Sequence, residues 1–209
     1  VAIPDNLAYY FGLEGFETKV HSDEEDTVTW SAKHFIGLAV KGNTQMLEML
    51  FSPQSCQVYC HPAFEQHVLG NRDHFMSKII FNSIWGYAYS EHQKALGLSS
   101  RDLGERRKED LSAYGYSLRN ATHCIRLMYS GAEAMISGIF PVRLPDPVQR
   151  ICMGIKTGQV AKNEYLEFYQ EYKDRLEHAG NTTTLPDFYN RDKLNEILVD
   201  LHKDVLGIK

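Results

Sequence analysis

Hydrophobic and polar positions follow two regimes along this chain. Val1-Ala2-Ile3-Pro4 looks like a strand ending in a loop, and Leu7, Tyr10 and Phe11 fit a short helix or turn over residues 5–13. Phe16 to His21 alternates as a strand does, an acidic tip follows at Asp23-Glu24-Glu25-Asp26, and Thr27-Val28-Thr29-Trp30 is strongly β-prone. That pattern predicts a hairpin. Two or three strands are too few to stand alone, so they belong to a sheet whose beginning is missing here.

From Ser31 onward the spacing is helical. Ser31 is an N-cap for a helix with Phe35, Ile36, Leu38, Ala39 and Val40 on its core side. Gly42 ends it, Asn43-Thr44 opens a second with Met46, Leu47, Met49, Leu50 and Phe51 apolar, and Ser52-Pro53 stops that one. A short helix is expected over 62–69 and a long one over 71–96, with Phe75, Ile79, Ile80, Ile84, Tyr87, Ala88 and Leu96 inward. A polar linker runs from Gly97 to Gly104. A helix in the second half of 106–126 continues to about Ser137 and closes at Gly138. Residues 139–144 read as a short strand or an extended segment. Further helices are expected from Asp146-Pro147 to Gly158, over 161–178, and over 191–205. The expected class is α+β, predominantly α-helical.

The chemistry concentrates in RRKEDLSAYGYSLRNATHCIR, residues 106–126. Arg119, His123 and Arg126 stand at i, i+4 and i+7 and share one helical face. Such a stripe needs either counter-charges, with Glu133 and Asp110 as candidates, or an anionic ligand. Lys78 is a further cation on the preceding long helix. Tyr87 and Tyr116 are candidates to stack on a base, although aromatic residues at helical spacing are commonly core, and Ser77 and Ser90 are candidates to bond a phosphate oxygen, with solvent-facing or helix-capping roles as the alternative.

Composition narrows the classes. The chain has 209 residues, 43% hydrophobic and 23% charged, and a net charge of −5, so any nucleic-acid or phosphate contact must be a local cluster. No apolar run approaches the ~20 residues of a membrane helix. The first residues show no charged-then-apolar leader. The four cysteines, Cys56, Cys60, Cys124 and Cys152, lack the second close pair that a zinc site needs, and are expected as free thiols in a reducing cytoplasm.

KGNTQMLEMLFSP at 41–53 resembles the "KGNPxxLELLFSP" signature of a predicted nucleotidyltransferase family of the DNA polymerase beta superfamily, associated with RNA repair. Further likenesses come in order. Phe75-Met76-Ser77-Lys78 resembles "FLSK", and Gly86-Tyr87-Ala88 with Ser90 resembles "GYAxSQ". Arg107-Lys108, Tyr114-Gly115-Tyr116 and Arg119-Asn120-Ala121-Thr122-His123 with Arg126 resemble "KR…YGYDxKHAxHxxRL". Arg143, Pro145 and Asp146 resemble "RPD", Ile155-Lys156-Thr157-Gly158 "IKxGE", and Leu185-Pro186 "LPE". The likeness spans essentially the whole chain.

The resemblance implies a partial nucleotidyltransferase-type sheet domain over residues 1–53 and a helical C-terminal domain over 54–209. It implies transfer of a nucleoside monophosphate from a nucleoside triphosphate to a hydroxyl, with RNA the expected acceptor. Lys78, Tyr87, Ser90, Tyr116, Arg119, His123 and Arg126 would then bind nucleotide or phosphate. Mg²⁺ would normally be held by an Asp-x-Asp pair after a Gly-Ser turn, two aspartates on one side of a strand. This sequence carries no such element, and no third carboxylate is assigned, because the strand before Ser31 shows Thr29. The chain by itself is therefore expected to be inactive. The competing classes are a non-catalytic nucleotide- or RNA-binding helical module and a structural or assembly subunit.

Overall fold

The computed structural model describes residues 19–22, 27–99 and 104–207. The expectations for residues 1–18 and for the acidic tip lie outside these. Strand β1 (Lys19–Ser22) pairs antiparallel with β2 (Thr27–Trp30), with Lys19 opposite Trp30 and Ser22 opposite Thr27. Among the described residues strand structure is limited to this hairpin; everything else regular is helical. The helical class holds. A larger nucleotidyltransferase-type sheet is not seen among them.

By contacts the chain divides into two compact units, one running to Ser77 and resuming at Phe188, the other spanning Lys78–Asp187. The sequence reading places its division after residue 53.

In the first unit, local chemistry sets the helix starts. The Ser31 hydroxyl accepts from the His34 N–H at 3.3 Å and opens α1 (Ala32–Ala39); Asn43 Oδ1 accepts from the Met46 N–H at 3.3 Å and opens α2 (Thr44–Leu50). Helix α3 (Pro62–His67) starts at His61, whose Nδ1 accepts from the Ala63 N–H. The last helix of the chain, α9 (Arg191–Leu206), returns to this unit. Its Leu194, Ile197 and Leu201 join Phe35, Ile36, Met46, Leu50 and Phe75 in one core. His67 Nε2 lies 2.6 Å from Asp204 Oδ2, tying α3 to α9.

The single helix expected over 71–96 is instead broken. A 3-10 segment covers Leu69–Phe75, Met76 is extended (φ −91°, ψ 128°), and α4 (Ile79–Ala95) begins afterwards. Phe75, Met76 and Ser77 are consecutive and all fully buried. A helix would swing the three onto different faces, whereas an extended passage through packed surroundings buries them together. The Asn71 amide also donates to the carbonyls of Gln66 and His67, a local competitor of the helical ladder.

The second unit is built around α6 (Leu118–Ser137), flanked by α4, α5 (Glu105–Tyr114), α7 (Asp146–Lys156) and α8 (Lys162–Thr182). Helix α6 buries Ala121, Cys124, Ile125, Leu127, Met128, Ala132, Ala134 and Met135. A methyl group on Gly131 would stand 2.6 Å from Ile84 of α4 and 3.1 Å from Leu176 of α8, so glycine permits the three helices to close together. The stretch 139–144 is irregular rather than a strand; Phe140 is buried and the Pro141 carbonyl accepts from Ser130 at 3.1 Å. No described helix is long and apolar enough to cross a membrane.

Candidate anion-binding face

The turn that breaks the helical pattern is Tyr114-Gly115-Tyr116. Tyr114 ends α5, and Gly115 takes a left-handed conformation at φ +76° that admits glycine readily. Tyr116 then turns inward, and α6 starts at Leu118. Asp110 of α5 accepts from the Leu118 N–H at 3.0 Å and puts a negative charge at the positive end of α6. This fixes the first turn of α6, which carries Arg119 and, one turn later, His123.

The Glu91 carboxylate, near the end of α4, lies under that turn and is buried. One oxygen accepts from Lys94 Nζ at 2.6 Å and the other from Asn120 Nδ2 at 2.7 Å; Asn120 Oδ1 in turn accepts from Ser117 Oγ at 3.0 Å. These two bonds and the Lys94 charge outweigh burial and hold the Glu91 carboxyl below its usual range, so it is ionised. Above this floor, His123 Nε2 lies 3.0 Å from the Tyr87 hydroxyl and the rings meet edge to face at 5.2 Å. Burial, with Arg119 and Lys94 adding to it, lowers the His123 pKa against the pull of Glu91. The imidazole is therefore neutral at pH 7. Burial and Glu91 raise Tyr87.

Arg119 projects into solvent beside this pair and, among the described residues, has no hydrogen-bond or ion-pair partner. The counter-charges proposed for it from sequence are used elsewhere: Glu133 pairs with Arg175, and Asp110 caps α6. Arg126 shares the stripe two turns along. It is half-buried, already engaged in a contact of its own, and close enough to Cys152 to oppose the burial that pushes that thiol up to about 11.

Of the other sequence candidates, Lys78 and Tyr116 lie elsewhere, while Ser90 falls between Tyr87 and Lys94 on α4. Lys78 stands at the opposite end of α4, ~24 Å of helix from Lys94. Its Nζ is 2.8 Å from Asp187 and its N–H donates to Pro186. Ser90 is half-buried on α4, one turn beyond Tyr87. Tyr116 is fully buried; its ring stacks on Tyr165 at 5.0 Å and 3°, and its hydroxyl donates to the Val160 carbonyl at 2.7 Å. No surface of Tyr116 faces a ligand in this conformation, so the core role weighed against base stacking is the one the packing gives it. Lys94, Glu91 and Asn120 were missed by sequence reasoning. Lys94 follows Glu91 at i+3, an ordinary surface pairing, and nothing local marks Asn120 as its neighbour.

A face with one exposed guanidinium, a lysine shared with a buried carboxylate and a neutral imidazole offers donors to a multiply charged anion. As for Mg²⁺, no group of three His, Cys, Asp or Glu among the described residues could hold a metal ion. The described residues do not fit the cation that the superfamily chemistry implies.

The second unit is an α-helical assembly that carries the Tyr87, Lys94, Arg119 and His123 side chains near one another. The sequence matches the RNA repair pathway DNA polymerase beta family (RlaP) over residues 5–200, and the chain belongs to that family. Neither the curated proteins nor the solved structures include a match.

Proposed function

We propose that this chain serves nucleotidyl transfer in RNA repair, with the face of Tyr87, Lys94, Arg119 and His123 gripping the triphosphate of a nucleoside triphosphate. Family membership supports the reaction class, and the exposed, unpartnered Arg119 carries the assignment of the face. Arg119 contributes a bidentate hold on phosphate oxygens, Lys94 a second positive charge close by, and the Tyr87 hydroxyl with His123 polar contacts along the same line. Arg126 extends the row. The β1–β2 hairpin would form part of the catalytic sheet, and Mg²⁺ would be held by carboxylates other than the described ones. Residues 1–209 carry no Asp-x-Asp pair, so nucleotide incorporation by these residues alone is not expected.

Thermal shift against nucleoside triphosphates, diphosphates and short RNA tests the reading. Triphosphate at ~100 times its Kd should stabilise the fold by about 2.7 kcal/mol. Stabilisation by RNA alone would favour a non-catalytic RNA-binding module. Stabilisation by none of them would favour an assembly subunit and reject the proposal.

A further inference from the structure

Glu91 is an acidic group directly beneath a face assigned to phosphate, where a negative charge ordinarily weakens binding. Its geometry accounts for its presence. It is buried and ionised, and it spends one oxygen on Lys94 and the other on Asn120. Through Asn120 and Ser117 it reaches the first turn of α6, so a single carboxylate links the two helices that carry the face. It is also the one anion among the charges acting on His123. From α4 these are Glu91 and Lys94, with the Tyr87 hydroxyl in contact; on α6 itself there is Arg119, with Arg126 further along the stripe. Asp110 of α5 is committed to the Leu118 N–H. From α7 and α8 the groups approaching α6 include Cys152, beside Arg126, Tyr165, beside Cys124, and Arg175, paired with Glu133 further along the helix.

We propose that Glu91 is the positioning residue of this face: it sets Lys94 and the first turn of α6 in place, and supplies the charge against which His123 takes up a proton when a polyphosphate binds. The inference rests on the phosphate reading above. A triphosphate brings up to four negative charges to a face whose only uncommitted cation is Arg119 among Tyr87, Lys94, Arg119 and His123. Protonating His123 adds a second, and Glu91 below keeps that proton affordable beside two cations. The proton comes from solvent and returns to it on release.

The test compares the wild-type chain with E91Q, which keeps the size and the acceptor oxygen for Asn120, removes the charge, and turns an amide NH2 toward Lys94 in place of its acceptor. Affinity for a nucleoside triphosphate is measured across pH 6 to 8, and the His123 ring is titrated by NMR in the free protein. The phosphates' own titration is common to both proteins and cancels in the ratio. At pH 8, where His123 is neutral in both, E91Q should bind within a few-fold of wild type, because the loss of the Lys94 tether is offset by removal of the negative charge beneath the phosphates. At pH 6 it should bind several-fold more weakly, since its His123 now titrates at lower pH. An equal loss at every pH, accompanied by a lower Tm, would make Glu91 a merely structural residue and overturn the proposal. So would an NMR midpoint for His123 that the substitution leaves in place. If the wild-type chain binds no triphosphate at all, the functional reading fails, and the NMR arm still decides whether Glu91 sets the charge state of His123.

Discussion

Substituting alanine for Arg119 is expected to weaken nucleoside triphosphate binding about tenfold to a hundredfold while leaving the Tm essentially unchanged. The guanidinium is exposed and without a hydrogen-bond or ion-pair partner among the described residues, so its removal strands no buried group. Surface substitutions of that kind stay within about 0.5 kcal/mol. A hydrogen bond to a charged ligand group contributes ~1.5–3 kcal/mol, and each 1.4 kcal/mol is about tenfold in affinity. Isothermal titration provides the binding number, with Arg175→Ala as the control, because that arginine is paired with Glu133 away from this face. Equal small losses in both variants would mean that Arg119 contributes only general charge.

A second large effect concerns stability. Tyr165 is fully buried at the centre of the helical unit, stacked on Tyr116, with its hydroxyl 2.8 Å from His92 Nδ1 and within reach of the Cys124 thiol. Tyr165→Ala removes the ring from between its neighbours and leaves His92 without its partner. The loss should be ~3–5 kcal/mol, a large part of what a domain typically has. Tyr165→Phe keeps the stack and should cost only ~1–3 kcal/mol, the price of an unsatisfied buried nitrogen. Chemical denaturation separates the two. His92 adds a pH signature: burial holds it down to about 4, so below its unfolded pKa of ~6.5 the unfolded chain binds a proton that the folded one refuses. Its share of stability is complete above that value and declines as pH falls toward 4. In Tyr165→Ala, where the opened site admits water, that decline should be shallower.

What could be read in the sequence was what local chemistry decides. Ser31 and Asn43 cap the helices they were expected to cap, because a side chain three residues from its N–H needs no help from the rest of the chain. Helix α6 and its closure at Gly138 were equally plain. The break at Met76 was not, since apolar spacing through Phe75 and Ile80 continues smoothly across it and only the surrounding packing makes an extended passage favourable. The same divide runs through the site. The stripe of Arg119, His123 and Arg126 follows from helical geometry. Tyr87 and Tyr116 look alike in sequence, each next to a glycine, yet one lies at the surface against His123 and the other is sealed against Tyr165. Glu91 and Asn120 are 29 positions apart, and only the antiparallel apposition of α4 and α6 brings them together.

Where the phosphates sit can be mapped directly. Titrating isotopically labelled protein with a nucleoside triphosphate and following the arginine Nε–H, histidine ring and lysine Nζ signals places the ligand residue by residue. The account predicts saturable shifts at Arg119, His123 and Lys94, with Lys78 and Arg175 unmoved. Shifts that cluster on other residues, or none at concentrations that saturate a thermal response, would contradict it.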